Sequence, residues 1–255
     1  MKNKFWIAGF ATLALVACKT PLAVTNVQTQ KNISIAANLP EDAAMNGVIA
    51  PYKKSLESQM NAKISHTNVD LNKQGDNSNL GNLLADYTYD GAVDWAKKNN
   101  IPQIDAAVIN IGGIRSTIGK GDILLKHIFE VMPFENELVI VKMKGSDVNS
   151  LFDYYLETQK NNPVSHLLVE TEQGKISRAL INNTNVDPSK TYYIATSDYL
   201  ALGGDNMKFF NKGEIITTGV KLRDLYVEKF RQTPEVTAPN DVRLIFKGKP
   251  NRNNE

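Results

Sequence analysis

Cysteine is almost absent from this sequence. Cys18 is the only one, so no intrachain disulfide can staple the fold and its stability must come from a packed core. Histidine is nearly as scarce, with His66, His127 and His166 as its three examples. No Ser-His-Asp order and no nucleophile elbow accompany them, which removes the common routes to nucleophilic catalysis. A surplus of charge is also missing: 29 Lys+Arg face 27 Asp+Glu. Loss of Lys2 and Lys4 with an N-terminal signal would bring the two signs level. A chain near neutrality is a poor match for a polyanion, so a nucleic-acid partner is not expected. Finally, no apolar run reaches the roughly 20 residues that a membrane-crossing helix requires.

The longest apolar run is the one from Phe5 to Ala17, and it follows Lys2 and Lys4. A short basic segment and then a short apolar one form the pattern of a secretory signal. The run ends in Leu15-Val16-Ala17-Cys18, which resembles a bacterial lipobox, where cleavage leaves the cysteine to be lipidated. Leu15 is too bulky for the small residue that ordinary signal peptidase prefers at that place. The expected organisation is a lipoprotein signal peptide at 1–17, lipidated Cys18 with a polar tether at 18–39, a folded domain at 40–246 and a polar tail at 247–255. The product would be exported and held by a lipid anchor in a membrane, on its periplasmic or outer face.

Within the domain, Met45, Val48, Ile49, Tyr52, Leu56 and Met60 recur at helical spacing and predict a core-packed helix that Pro51 kinks or restarts. A second helix is predicted from Asn79, with Leu80, Leu83, Leu84, Tyr87 and Trp95 on one face, stopping at Asn99-Asn100 and Pro102. Asp105 to Ile111 reads as a buried strand running into a Gly112-Gly113 turn. Glu137 to Lys144 reads as another strand, after which Gly145-Ser146-Asp147 caps a helix bearing Val148, Leu151, Phe152 and Tyr155. Strands fit 166–171, 175–181 and 192–197, followed by a helix at 220–230 and a last strand at 242–246. Helices and strands interleave, and the fold class is mixed α/β.

Three loops carry residues suited to a ligand. Asn110-Ile111-Gly112-Gly113-Ile114-Arg115 brings two glycines, whose bare backbone permits close approach, next to a fixed cation with a planar donor fork. Thr196 to Asp205 joins a strand to Gly203-Gly204 and flanks the pair with Tyr199 and Asp205, an aromatic face and an acceptor-only group. Pro133-Phe134 places another ring just before a strand. Taken singly, the first glycine pair is more often a plain turn, Tyr199 and Asp205 are equally a core tyrosine and a turn aspartate, and a phenylalanine at such a junction is usually buried packing.

Taken in order, Asn-x-Gly-Gly-x-Arg, Met-Pro-Phe before Leu-Val-x-Val-x-Met-Lys-Gly, and Tyr-Leu-Ala-x-Gly-Gly-Asp resemble the C-terminal domain of the 5′-nucleotidase family. Asn79-Leu80-Gly81-Asn82-Leu83-Leu84-Ala85-Asp86 matches a further motif of that domain. The resemblance implies a domain of layered mixed sheets with packed helices that binds a nucleoside monophosphate or nucleoside. It implies Phe134 and Tyr199 as the rings that sandwich the base, Asp205 as the ribose acceptor, Asn110 near the base edge and Arg115 on the ribose-phosphate side. Gly112, Gly113, Gly203 and Gly204 would be the turns that hold them. The family usually has another arginine shortly before the Asn-Leu-Gly-Asn motif, where this chain has Lys73 and Gln74, so the phosphate grip is expected to be weaker.

In that family, hydrolysis belongs to an N-terminal metallophosphoesterase domain, whose two metals sit in Asp-x-His and Gly-Asn-His-Glu motifs. His66, His127 and His166 stand in neither. No cofactor is therefore expected on this chain, and divalent metals are expected on a separately encoded metallophosphoesterase chain that would complete the enzyme. The alternative is a stand-alone surface lipoprotein that binds nucleotides without cleaving them.

Overall fold

The computed structural model describes residues 24, 26–32, 34 and 40–248. Cys18, the signal segment, most of the tether and the tail from 249 lie outside the described residues. The chain divides into two units, Met1–Val48 and Ile49–Glu255. The fold and the candidate site belong to the second.

Helix α1 spans Ala43–Met60 and passes through Pro51 without interruption. The expected core packing of this helix is not observed: none of its residues is buried, and Met45, Val48, Ile49, Tyr52 and Leu56 are exposed. Periodicity identifies the residues that share a face, but it does not say whether another element covers that face.

Strand β1 (Lys63–Thr67) is followed by α2 (Asn79–Lys98), β2 (Ala106–Val108), a 3-10 turn at Ile111–Gly113 and β3 (Gly121–Leu124). Helix α3 (Leu125–Val131), β4 (Glu137–Lys144), α4 (Gly145–Thr158), β5 (Val164–Ser165), β6 (Leu167–Glu172), β7 (Lys175–Ile181) and β8 (Thr184–Asn185) come next. The chain then forms β9 (Thr191–Ser197), α5 (Asp198–Ala201), 3-10 turns at Gly204–Asn206 and Lys208–Lys212, β10 (Glu214–Lys221), α6 (Leu222–Gln232) and β11 (Leu244–Lys247). Helix α2 stops where its sequence says it should: Asn99 caps it, and Asn100 turns left-handed at φ 58°. Residues 145–147 are the first turn of α4 and not its cap. Lys144 takes the cap position without a side-chain hydrogen bond.

The central sheet has the order β10-β4-β9-β2-β5. Strand β9 runs parallel to β2 and antiparallel to β4. Side chains alternate across a strand, so the nearly unbroken apolar run of β4 supplies both faces. Leu138 and Ile140 join one core with Leu80, Leu84, Ile128, Tyr226 and Phe230 from α2, α3 and α6. Val139, Val141 and Met143 join the other with Val148, Leu151 and Phe152 of α4 and with Val169, Leu244 and Phe246. Those last three belong to a second sheet of order β11-β6-β7-β8. A fully buried Leu, Ile or Phe side chain contributes roughly 1.5–3 kcal/mol, and two such cores stabilise the domain without a disulfide.

Arg243 ties the layers together. Its guanidinium donates to both carboxylate oxygens of Asp86 at 2.7 and 2.8 Å and to the carbonyls of Asn82 and Val164. It also pairs with Asp241 through Nε at 2.6 Å. The Asn-Leu-Gly-Asn motif thus serves the fold: Asn82 donates to the Asp241 carbonyl at 3.2 Å, and Asn79 binds the main chain of Asn72 and Asp70.

Removing one partner of a mostly buried ion pair leaves the other uncompensated, so Arg243→Met is expected to lower unfolding free energy by about 3 kcal/mol in denaturant titration. The hydrogen bond from Arg243 holds the Asp241 carboxyl below the usual aspartate range. That contribution is complete above the ordinary aspartate pKa and is lost as pH falls through the lowered value. Acid titration of stability should therefore show a shallower loss for Asp241→Asn than for the wild type.

Candidate functional site

The loops converge because of strand direction. Strands β2 and β9 are parallel neighbours, with Ala107 opposite Ala195, so the loops after them leave from the same end of the sheet. Strand β4 is antiparallel to β9, with Leu138 opposite Ser197, so the segment before β4 arrives at that end as well. A crevice outside the carboxyl ends of parallel strands is a common ligand position in α/β proteins.

A cavity of about 450 Å³ lies there. Asn110, Gly112, Gly113, Arg115, Phe134, Tyr199 and Asp205 all line it. Gly203 and Gly204 do not line it and act behind it. Gly203 turns the chain at φ 91°. Gly204 lets the Tyr199 ring pass, since a Cβ there would lie 2.6 Å from ring atoms Cε1 and Cζ. Phe134 and Tyr199 are 44% and 45% exposed, which leaves ring area free for a ligand. The loop readings did not name Asn136, Ser197, Leu222 or Tyr226, which also contribute to the wall. Asn136 donates to Asp198 Oδ1 at 2.9 Å, and the Ser197 hydroxyl caps α5 by accepting from the Leu200 amide. Asn136 and Ser197 lie beside or within the named motifs, whereas Leu222 and Tyr226 sit on the helix Leu222–Gln232 with no motif to mark them.

Asp205 is the most constrained residue of the site. Its backbone is left-handed, with φ 51° and ψ 26°, a conformation that costs a non-glycine residue on the order of 1 kcal/mol. Asn110 Nδ2 donates to its Oδ2 at 2.9 Å, and the Tyr199 hydroxyl donates to its Oδ1 at 3.1 Å. The Asp205 amide in turn lies 3.2 Å from the Tyr199 hydroxyl oxygen as donor. Each carboxylate oxygen accepts up to two hydrogen bonds, so acceptor capacity remains on both. The Tyr154 hydroxyl donates to the Asp205 carbonyl at 3.2 Å. Burial first, and then the charge of Asp205, raise the Tyr154 pKa above the ordinary phenol value, so the group stays protonated and donates.

In the first glycine loop, Arg115 Nη1 donates to the Gly112 carbonyl at 3.2 Å. Lys73 Nζ donates to the Ile114 carbonyl at 2.9 Å. Lys73 thus brings a second cation to the Gly-Gly loop, bound to an uncharged main-chain oxygen.

The histidines lie apart. His66 Nδ1 is 2.9 Å from Asp122 Oδ1, His127 Nδ1 accepts from the Leu124 amide, and His166 stacks on Tyr89 with ring centroids 3.8 Å apart. Among the described residues no group of three or more His, Cys, Asp or Glu is placed to hold a metal ion. The donor set of a two-metal centre does not fit these residues. A larger cleft of about 730 Å³ lies against Asp86, His166, Asn182 and Arg243. Asp86 and Asp241 there pair with Arg243, and burial holds the Asp90 carboxyl above the ordinary aspartate range. No described helix is long and apolar enough to cross a membrane.

Two glycine loops, two exposed rings and a clamped aspartate thus meet at one end of the sheet. Residues 57–212 match the C-terminal domain of 5′-nucleotidase, and the chain belongs to the 5′-nucleotidase family through that domain. It is 28% identical over 229 residues to protein UshA of Yersinia enterocolitica, an alignment that covers 84% of this chain and 38% of that protein. Likewise it is 28% identical over 228 residues to a 5′-nucleotidase of Vibrio vulnificus, covering 83% and 38%. The chain therefore spans little more than a third of the curated relatives it matches. A 5′-nucleotidase precursor of Thermus thermophilus shares the fold with a TM-score of 0.66 at 24% identity, covering 83% of this chain and 44% of that one.

Because Gly204 makes room for both the Tyr199 ring and the Tyr199 carbonyl oxygen, which would also lie 2.6 Å from a Cβ, Gly204→Ala should displace Tyr199 and break its bond to Asp205. Overpacking of this kind costs roughly 1–3 kcal/mol. Thermal unfolding and the NMR resonances of the Tyr199 ring would register both effects, and an unmoved ring would show that the contact is relieved elsewhere.

Proposed function

We propose that this chain is the nucleotide- or nucleoside-recognising component of a 5′-nucleotidase-type phosphohydrolase. The observation that carries the reading is the joint placement of Phe134, Tyr199, Asp205, Asn110 and Arg115 around one cavity. In this reading the base stacks between the two rings, an arrangement that tolerates any base because each has a π-face. The ribose hydroxyls donate to the remaining acceptor sites of Asp205, and Asn110 lies toward the base edge. Arg115 and Lys73 form the cationic side, toward the phosphate. Arginine supplies a planar fork there and lysine only a point charge.

Hydrolysis is assigned to a metallophosphoesterase on a separate chain, which brings the divalent metals and closes the active site over the ligand. The chemistry asks for metals that the described residues are not placed to hold. Export and a lipid on Cys18 complete the proposal and would place recognition at a membrane surface.

Two experiments test it. Calorimetric titration with adenosine should show about a 10- to 100-fold loss of affinity in Tyr199→Ala, the range expected for removal of one base-stacking ring. Unchanged affinity would exclude the stacking role. AMP with added divalent metal should survive incubation with the purified chain and be hydrolysed once a metallophosphoesterase encoded beside it is supplied. Turnover by the chain alone would refute the division into two chains.

A further inference from the structure

The hydrogen bonds behind the cavity form a closed circuit. Asn162 is 1% exposed and Tyr154 6%, and neither lines the cavity. Asn162 Oδ1 accepts from the Ile111 amide at 3.1 Å, inside the Gly-Gly loop. Its Nδ2 donates to the Tyr154 hydroxyl at 2.9 Å, and its carbonyl accepts from the Tyr155 hydroxyl at 2.9 Å. The Tyr154 hydroxyl in turn donates to the Asp205 carbonyl. Asp205 returns to the first loop through Asn110, the residue beside Ile111. The buried members, Asn162 and Tyr154, have a partner for each polar side-chain atom, and the circuit ties the loop after β2 to the loop after β9 through side chains of α4 and of the segment that follows it.

Such a circuit restricts the two loops to one relative placement. Asp205 holds a left-handed backbone that a free aspartate would leave, and the Tyr154 hydroxyl is bonded to its carbonyl. We infer that Tyr154, held by Asn162, is a positioning residue that fixes the Asp205 carboxylate for a ribose diol. This rests on the reading of Asp205 as the ribose acceptor. A ligand without the diol gains nothing from the positioning, so the circuit selects for the sugar and not for the base.

The test is Tyr154→Phe, which keeps the ring and deletes one hydroxyl. Adenosine, 2′,3′-dideoxyadenosine and adenine are titrated against the wild-type chain and the variant. Loss of one buried hydrogen bond should weaken adenosine binding by roughly tenfold, with dideoxyadenosine and adenine changing by less than about twofold. In the ligand-free protein, amide exchange at Ile111 and Asp205 should accelerate.

Tyr192→Phe is the control. Tyr192 is a buried ring of the same core whose hydroxyl accepts from the Asp187 amide at 2.9 Å. Its loss should lower the melting temperature and leave the adenosine to dideoxyadenosine ratio unchanged. A Tyr154→Phe variant with the wild-type ratio, or a Tyr192→Phe variant with an equally reduced one, would overturn the positioning role. Equal affinity of the wild type for adenosine and its dideoxy analogue would overturn the ribose reading itself, and the positioning role with it.

Discussion

Asp205 accepts a hydrogen bond on each carboxylate oxygen, from Asn110 on one loop and from Tyr199 on its own. The first of these bonds joins two segments 95 residues apart in sequence, and the geometry of the cavity follows from it. The bonds can form because β2 and β9 lie side by side and parallel, which brings both glycine loops to one end of the sheet. The parallel pair in turn needs a sheet covered on both sides, and the two cores on its faces provide the cover. Site geometry thus rests on strand direction, and strand direction on burial.

The division of labour among polar residues follows burial as well. Groups deep in the domain, such as Asn162, Tyr154, Asn82 and Arg243, have their hydrogen-bonding capacity taken up by protein partners. An unsatisfied buried polar group costs roughly 1–3 kcal/mol, which is why they are found in networks. Residues at the cavity rim keep capacity in reserve: ring area on Phe134 and Tyr199, acceptor sites on Asp205 and donors on Arg115. Rigid support behind an incompletely satisfied surface is what a preorganised binding site requires.

Much of this was legible in the sequence. The apolar run from Leu138 to Val141 marks a strand, and the Asn99-Asn100 stop ends α2. Residue-level motifs led to seven of the cavity residues, because glycine pairs and their flanking side chains are local patterns. Other features needed three dimensions. The edge strand β10 went unread because its burial is partial and interrupted, with Gly219 turning left-handed inside it. The apolar stripe of α1 read as core because spacing cannot report what covers a face. Asn162 and Tyr154 carry no motif of their own, and their importance lies in partners 51 residues away. The Asn-Leu-Gly-Asn motif was visible as a pattern, yet its work of anchoring α2 to the Asp241–Arg243 segment could be seen only in the fold.

The central claim is that one cavity recognises a nucleoside through two rings and a clamped aspartate. A crystal structure of this chain with adenosine tests it most directly. The account predicts the base between Phe134 and Tyr199, with both ribose hydroxyls on the carboxylate of Asp205. Adenosine bound away from these rings, or crystals soaked at millimolar adenosine that show an empty cavity, would contradict it.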